Sequence, residues 1–486
     1  MTQRLRLLVL AGLLSTASTA HSQTLDPSFL PTVAYRNQTQ PGRVRAISQQ
    51  PDGRLLVAGD FMLMNAWPTN NVARLWPDGR VDTTFRAPAF AGGDVLALAA
   101  DAQGRVLVSG TFGAVGGQPR AGVARLLANG TLDLSFQPDV RPAFSGGSGP
   151  IVRAVVVQPD GKMLLGGSFI AAGAGGALMP HLVRLLPTGL PDASFVPAMP
   201  FSGQIGALLL QPSGAILVAG NIYSNQLELV RRLLPNGSLD PAFTIVPANQ
   251  VLAGIGLAMA PTATGGFVLV GTYHGVGAIG RASVARFLAD GTLDLTFNSP
   301  LPGGVGPAAP VNAVAVEAGG QVFIGGDLGN GGNVSYLRRL LPTGAFDSTY
   351  FNPFTAPEPD AVVSALLLQP DGKLLVGGNF ENVVGQPRIG LARLLPPSIL
   401  STSSAQLAAG VKAYPIPAHN QLHLQFEASR LPHQVQLLDA LGRVVCTQPA
   451  NQPELTVSTA GLPAGIYQLR VAYAQGGAII RRVVVE

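Results

Sequence analysis

Short apolar runs separated by glycine-containing turns fill most of the chain. The segment VRAISQQPDGRLLVAGDF (44–61) is one apolar run, a PDG turn and a second run. It returns as VLALAADAQGRVLVSGTF (95–112), VRAVVVQPDGKMLLGGSF (152–169) and IGALLLQPSGAILVAGNI (205–222). A degenerate copy runs through GFVLVGTYHG (266–275), and VNAVAVEAGGQVFIGGDL (311–328) and VSALLLQPDGKLLVGGNF (363–380) bring the total to seven. A second half-unit begins at VARLWPDGRVDTTF (72–85) and recurs at 123–136, 182–195, 230–243, 284–297 and 337–350. Its seventh copy stops at LARLLPP (391–397), while the missing end, LDPSF, stands at 25–29.

Each half-unit reads as a strand hairpin, with the glycine of PDG, ANG or PNG supplying the positive φ that tight turns need. Four short strands in a unit of about 50 residues have the size of a propeller blade. A blade cannot bury both faces alone, so blades must stack, and a closed ring removes the exposed ends. A unit split between the two ends of the repeat array serves a ring, because the N-terminal strand can latch onto the last three. The pattern therefore predicts an all-β seven-bladed β-propeller over 23–397, closed by its N-terminal strand.

Two recurrences inside the repeat carry structural expectations. Gly59, Gly110, Gly167, Gly220, Gly271, Gly326 and Gly378 hold one position of the second strand. That marks a bulge or a close backbone approach, here expected from crowding between blades. Arg74, Arg125, Arg184, Arg286 and Arg393, with Asp82, Asp133, Asp192 and Asp294, are read as pairs that hold each blade's turn, of modest net value. A unique ligand site would break the repeat instead of obeying it.

These repeats resemble the delta-60 repeat β-propellers, in the PDG turn, the Gly-Gly-x-Phe strand end and the RL…(D/N)G…D-x-x-F half-unit. The fifth copy departs from them, with APTATGGF (260–267) in place of the PDG turn. The resemblance implies the fold and an extracellular setting, and supplies no reaction.

Past a short linker at 398–411 the pattern changes to alternating strands over 412–486, which predicts a small Ig-like β-sandwich. The tail resembles the type A C-terminal sorting domain of the type IX secretion system. The matching residues are Tyr414, Pro415 and Pro417 of YPIP, Asp439, Gly442 and Arg443 of the D-x-x-G-R-x-V core, and Gly465 and Tyr467 of LPAGIYQLRV. The basic-then-apolar ending Arg481 to Val485 completes the match. The resemblance implies the type IX secretion machinery as partner, export across the outer membrane and removal of the tail. The bland alternative is an accessory sandwich that binds ligand.

At the other end, residues 1–22 read as a signal peptide: Arg4 and Arg6, the apolar run LLVLAGLL (7–14), then small residues up to Ser22. The run is too short to span a bilayer. A secreted or cell-surface location follows.

Composition narrows the chemistry. Lys+Arg 31 against Asp+Glu 26 gives a formal charge of +5, but the basic residues are scattered, which argues against a nucleic-acid partner. Cys446 is the only cysteine, so neither an intrachain disulfide nor a CxxC metal site exists, and the histidines show no HExxH spacing. GVGAIG (275–280) formally matches a dinucleotide glycine loop, yet a strand pattern follows where a helix is required. No cofactor, metal or catalytic residue is expected.

In a four-stranded blade the short glycine turns share one face, and the variable second turns and inter-blade links share the other. Binding belongs on variable loops held by a rigid scaffold. Candidate ligand contacts there are Trp67, Arg120, Tyr223, Tyr273, His274 and Arg388, with long loops at 137–151, 298–310 and 351–361. The favoured expectation is a non-catalytic binding or scaffold module for a glycan or protein ligand. The rival is a secreted polysaccharide hydrolase or lyase, which two unrepeated carboxylates meeting across the mouth of the ring would favour. A purely structural role in an outer layer would need no pocket.

Overall fold

The computed structural model describes residues 21–22, 24–34, 42–142, 149–173, 177–198, 202–223, 227–243, 246–247, 254–301, 310–328, 335–350, 353–354, 361–396, 398–399, 411–426, 431–439, 444–472 and 478–486. The described residues form strands and turns and no helix, so no helix is long and apolar enough to cross a membrane. One compact unit spans Gln23–Pro397, and Ser398–Glu486 belongs to a second.

The first blade shows how the repeat folds. Arg43–Gln49, Leu55–Asp60 and Val72–Leu75 pair antiparallel in that order, and a single bridge from Leu75 to Val81 begins the fourth strand. Gly53 and Gly79 close the two hairpins at φ 82° and 90°, where a side chain would be strained. The next inner strands are Val95–Ala100, Ile151–Val157, Ser202–Leu210, Gly256–Pro261, Val311–Val316 and Val362–Leu368. Each packs against its successor, and the last packs against Arg43–Gln49, so the ring is closed.

Cores lie between blades. Leu56 and Ala58 of the first blade share one with Val106 and Val108 of the second, while Val44 and Val57 share another with Leu375 and Leu391 of the seventh. Fully burying one such side chain contributes about 1.5–3 kcal/mol, and no blade can do it unaided.

The N-terminal segment completes the seventh blade as the split repeat predicts. Leu25 bridges to Leu394, the Asp26 amide donates to the Arg393 carbonyl at 2.8 Å, and the Leu395 amide donates to the Thr24 carbonyl at 2.8 Å. Phe29 is fully buried beneath.

The recurring glycines face a β-bulge. In every inner strand one residue is skipped in the ladder, Arg45 between Val44 and Ala46 being the first. A Cβ on Gly59 would lie 1.9 Å from the Arg43 carbonyl oxygen, and the other six glycines of the set give 1.9–2.1 Å. The crowding is thus within a blade, against its own inner strand, and not between blades as the sequence suggested. Contact between blades falls one residue earlier, where a Cβ on Gly377 would meet Val44 Cγ1 at 2.5 Å.

The Arg–Asp pairs are more than turn clips. Arg74 is buried, donates Nε to Asp82 at 2.7 Å, stacks over Phe85 at 4.9 Å, and donates Nη1 to the Ala128 carbonyl of the next blade at 2.7 Å. Arg125, Arg184, Arg232 and Arg286 repeat this arrangement toward Pro187, Pro235, Ala289 and Pro342. Arg393 closes the circle: it pairs with Asp26 at 2.9 Å, lies over Phe29 at 4.3 Å, and donates to Pro77 of the first blade. Only the sixth blade departs among these, where Arg339 pairs with Glu317 and Asp347.

The C-terminal unit is a β-sandwich. One sheet holds Val411–Tyr414, Gln421–Phe426 and Glu454–Ser458; the other holds Val444–Pro449, Gln434–Leu438, Gly465–Ala472 and Ala478–Val485. Leu422, Leu424, Val435, Leu437, Leu469, Val471 and Val483 fill the space between. Tyr467 is buried and donates its hydroxyl to the Pro463 carbonyl at 2.8 Å. Tyr414 is exposed beside His423, the Tyr414–Pro415 and Ile416–Pro417 bonds are cis, and Asp439 follows the strand Gln434–Leu438, half-buried. Gly465 opens the third strand of the second sheet; Gly442 and Arg443 lie outside the described residues.

Candidate functional site

The second strand of each blade runs outward to the variable-loop end. The residue after each recurring glycine is polar in all seven blades: Asp60, Thr111, Ser168, Asn221, Thr272, Asp327 and Asn379. The bulge residues, Arg45, Leu96, Arg153, Gly206, Leu257, Asn312 and Ser364, stand one step along the inner strands and vary freely. The repeat therefore holds a ring of polar side chains at one end of the blades and leaves beside it positions that can be charged singly.

At these positions charge falls mostly in the first three blades, with Asp327 in the sixth. Arg45 Nη2 donates to Asp94 Oδ2 at 2.9 Å, from the first blade to the residue that opens the inner strand of the second. The Asp94 amide is in turn held by Thr111 Oγ1 at 3.0 Å. Asp60 lies across the ladder from Arg43. Burial raises its pKa above the ordinary carboxylate value, and the charge of Asp94 raises it further, against a partial offset from Arg45 and Arg43. Arg153, in the third blade, feels burial first and the like charge of Arg45 second, and both lower its pKa. Among the described residues no carboxylate lies within ion-pair distance of Arg153, and its Nε is buried without a hydrogen-bond partner. The Nε of Arg45 and the Oδ1 of Asn221 are also buried and unpartnered. In chemical terms the mouth offers a guanidinium fork, a second guanidinium already half-committed, one carboxyl biased toward its protonated form, and several uncharged donors and acceptors.

The six residues singled out from sequence are spread over hairpins of five blades. Trp67 and Tyr223 are exposed, 39% and 41% accessible, on the first and fourth. His274 is half-buried in the fifth. Tyr273 is a core residue and no ligand contact: it is buried, with its hydroxyl donated to the Leu269 carbonyl at 2.7 Å. It holds the register of the buried Phe61, Phe112, Phe169 and Phe380, and lining up the repeats would have shown it. Arg120 and Arg388 repeat a local device, each donating to the carbonyl of the preceding proline at 2.8 and 2.6 Å, and Arg281 does the same to Gly280 at 3.0 Å. The long loops at 137–151, 298–310 and 351–361 lie partly outside the described residues. GVGAIG forms two short strands, Gly275–Val276 and Ile279–Gly280, followed by the strand Val284–Phe287, so no helix N-terminus is there to hold a pyrophosphate.

What sequence reading missed is the charged group at the mouth. The signal was present, since Arg45, Arg153, Asp60 and Asp94 all break positions that are uncharged in most copies.

A closed ring of seven blades with its repeat-breaking charge at one mouth, followed by a separate sandwich, defines an exported repeat propeller with a delivery tail. The chain belongs to the family described as "Domain of unknown function (DUF5122) beta-propeller", matched at residues 50–85, 103–136, 158–195, 211–243, 267–297, 320–350 and 369–396, and carries a secretion system C-terminal sorting domain at 412–486. The tail assigns it to type IX secretion and to the cell surface or the medium.

No curated protein sequence matches the chain. Among solved structures it is similar to a catalytically inactive virginiamycin B lyase from Staphylococcus aureus, with 11% identity, TM-score 0.43, and 75% of this chain and 98% of that one covered. It is also similar to PorZ, a surface component of the type IX secretion system of Porphyromonas gingivalis, with 13% identity, TM-score 0.29, and 92% and 82% covered. A third likeness is the extracellular domain of a two-component system protein from B. thetaiotaomicron, with 9% identity, TM-score 0.44, and 96% of this chain but 60% of that one covered. The chain thus spans about three fifths of that ectodomain's length.

Proposed function

We propose that the exported propeller is a non-catalytic binding module that takes its ligand at the variable-loop mouth of the ring. The observation that carries this reading is the gathering of charge, Arg45, Asp60, Asp94 and Arg153, at one end of a scaffold whose strut pairs recur from blade to blade. A thermal-shift screen of the mature full-length chain against neutral and acidic polysaccharides and peptides tests it. Ligand binding to the native state raises the melting temperature by mass action. A reproducible shift with one class supports the reading, and no shift across the panel sinks it in favour of a structural role.

One observation favours a second reading, a polysaccharide hydrolase or lyase. The charge of Asp94 raises the pKa of Asp60 toward the acid form, while Asp94, at a position with no carboxylate in any other blade, is held by Arg45. Environments that differentiate two carboxyls in this way suit acid and base roles. Release of reducing ends from a polysaccharide, abolished by Asp60→Asn, would establish it. Its absence across the same panel removes it.

A further inference from the structure

We infer that Arg153 is the recognition site for a carboxylate group of an acidic glycan. This rests on the reading of the mouth as a binding site and adds the chemistry of what enters it.

The argument begins with an imbalance. The strut arginines are matched, Arg74 by an aspartate, a phenylalanine face and a carbonyl of the next blade. Arg153 sits at a bulge position where the second blade has Leu96 and the fourth has Gly206, so the fold does not require a cation there. It is nevertheless half-buried, its Nε has no partner, and no carboxylate among the described residues pairs with it. A desolvated guanidinium fork without a counter-ion is costly, and an arriving oxyanion with two coplanar oxygens satisfies it bidentately.

Local charge selects the kind of oxyanion. In the first three blades, Arg43, Arg45 and Arg153 contribute +3 and Asp60 and Asp94 contribute −2, a difference of +1 when both carboxyls are ionised. One carboxylate balances that, whereas a phosphate dianion overshoots it next to two aspartates. At the other ring positions Asp327, in the sixth blade, is the one further charge: Thr111, Ser168 and Thr272 carry hydroxyls, and Asn221, in the blade after Arg153, has a buried Oδ1 without a donor. Hydroxyls of a sugar ring supply such donors; the side chains of an acidic peptide mostly do not. A uronate unit presents both groups on one small ring.

The test is calorimetric titration of the mature full-length protein with trigalacturonate, its fully methyl-esterified form, and an aspartate-rich peptide of equal charge. Trigalacturonate is expected to bind, and the ester at least tenfold more weakly. Arg153→Leu, which installs the residue of the second blade, should weaken trigalacturonate binding at least tenfold without lowering the melting temperature. Arg153→Lys, which keeps the charge but loses the fork, should fall between. Unchanged affinity in Arg153→Leu, equal binding of the ester, or a preference for the peptide overturns the inference. Were Arg153→Leu not to fold, Arg153→Lys would carry the same test. Binding of neutral glycans unaffected by either variant would overturn this inference and leave the broader binding reading standing. Failure of all three ligands to bind overturns this inference, and the broader reading falls only if the thermal-shift panel is silent as well.

Discussion

At Gly59 the missing side chain matters because the Arg43 carbonyl oxygen occupies its place, 1.9 Å from where a Cβ would stand. Gly59→Ala must push two paired strands apart at the bulge, and a loss of about 2–4 kcal/mol is expected in urea unfolding. Gly117→Ala is the contrast: φ is +77° but nothing lies within 4 Å, so only the backbone cost of about 1–2 kcal/mol applies. The strut aspartates give a second prediction. At Asp82 burial opposes ionisation, but hydrogen bonds from Thr84 and the pair with Arg74 outweigh it and hold the carboxyl below its usual value. Asp133, Asp192, Asp294 and Asp347 behave alike. A lowered folded-state pKa means the stabilisation is full above the ordinary carboxylate value of about 3.9 and is lost as pH falls through the lower folded value. Melting temperature should therefore hold from pH 7 to about 5 and drop steeply below about 4. Asp82→Asn should cost about 3–5 kcal/mol at pH 7 by leaving Arg74 buried without its charge partner, and should lose less on acidification than the parent.

Among elements, the N-terminal segment acts out of proportion to its length. Thr24–Phe29 supplies the seventh blade's outer strand, the Asp26 partner of Arg393 and the Phe29 face beneath it. Deleting residues 23–29 should lower the melting temperature well beyond any loop deletion of equal length and expose the edge Leu391–Leu394 to proteolysis and self-association. Limited digestion beside the parent protein checks this. The clasp was readable in the sequence because LDPSF completes an interrupted repeat, and periodicity survives without any knowledge of contacts. The bulge was readable only in part. Glycine in a strand signals close approach, but whether the intruder is a neighbouring blade or the blade's own carbonyl depends on register, which the residue string does not display. The same holds for the struts: a recurring Arg and Asp eight apart suggest a pair, while the acceptor at Ala128, 54 residues on, is visible only once blades are stacked.

At the level of the whole molecule, ring and tail were legible because each carries its own pattern, and the working site was not. The mouth is assembled from single departures at Arg45, Asp60, Asp94 and Arg153, and reading each repeat for its sameness hides them. Aromatic and basic residues on variable hairpins drew attention instead, and one of them, Tyr273, was core. The tail makes a prediction of its own. Truncation before residue 412 should leave a folded propeller in the periplasm, and restoring 412–486 should return it to the cell surface or medium. Fractionation with an antibody to the propeller reads the outcome.

The clasp also fixes an order of events. Asp26 and Arg393 are separated by 367 positions, so the propeller's first strand must wait for its last blade to emerge from any vectorial process. Contacts between such distant points raise contact order and slow the final step of folding. Until then the open stack shows an unpaired strand edge and an unfilled inter-blade face, the surfaces that holdase chaperones bind. Export and maturation therefore have a window set by topology itself, in which the chain is largely built but not yet locked.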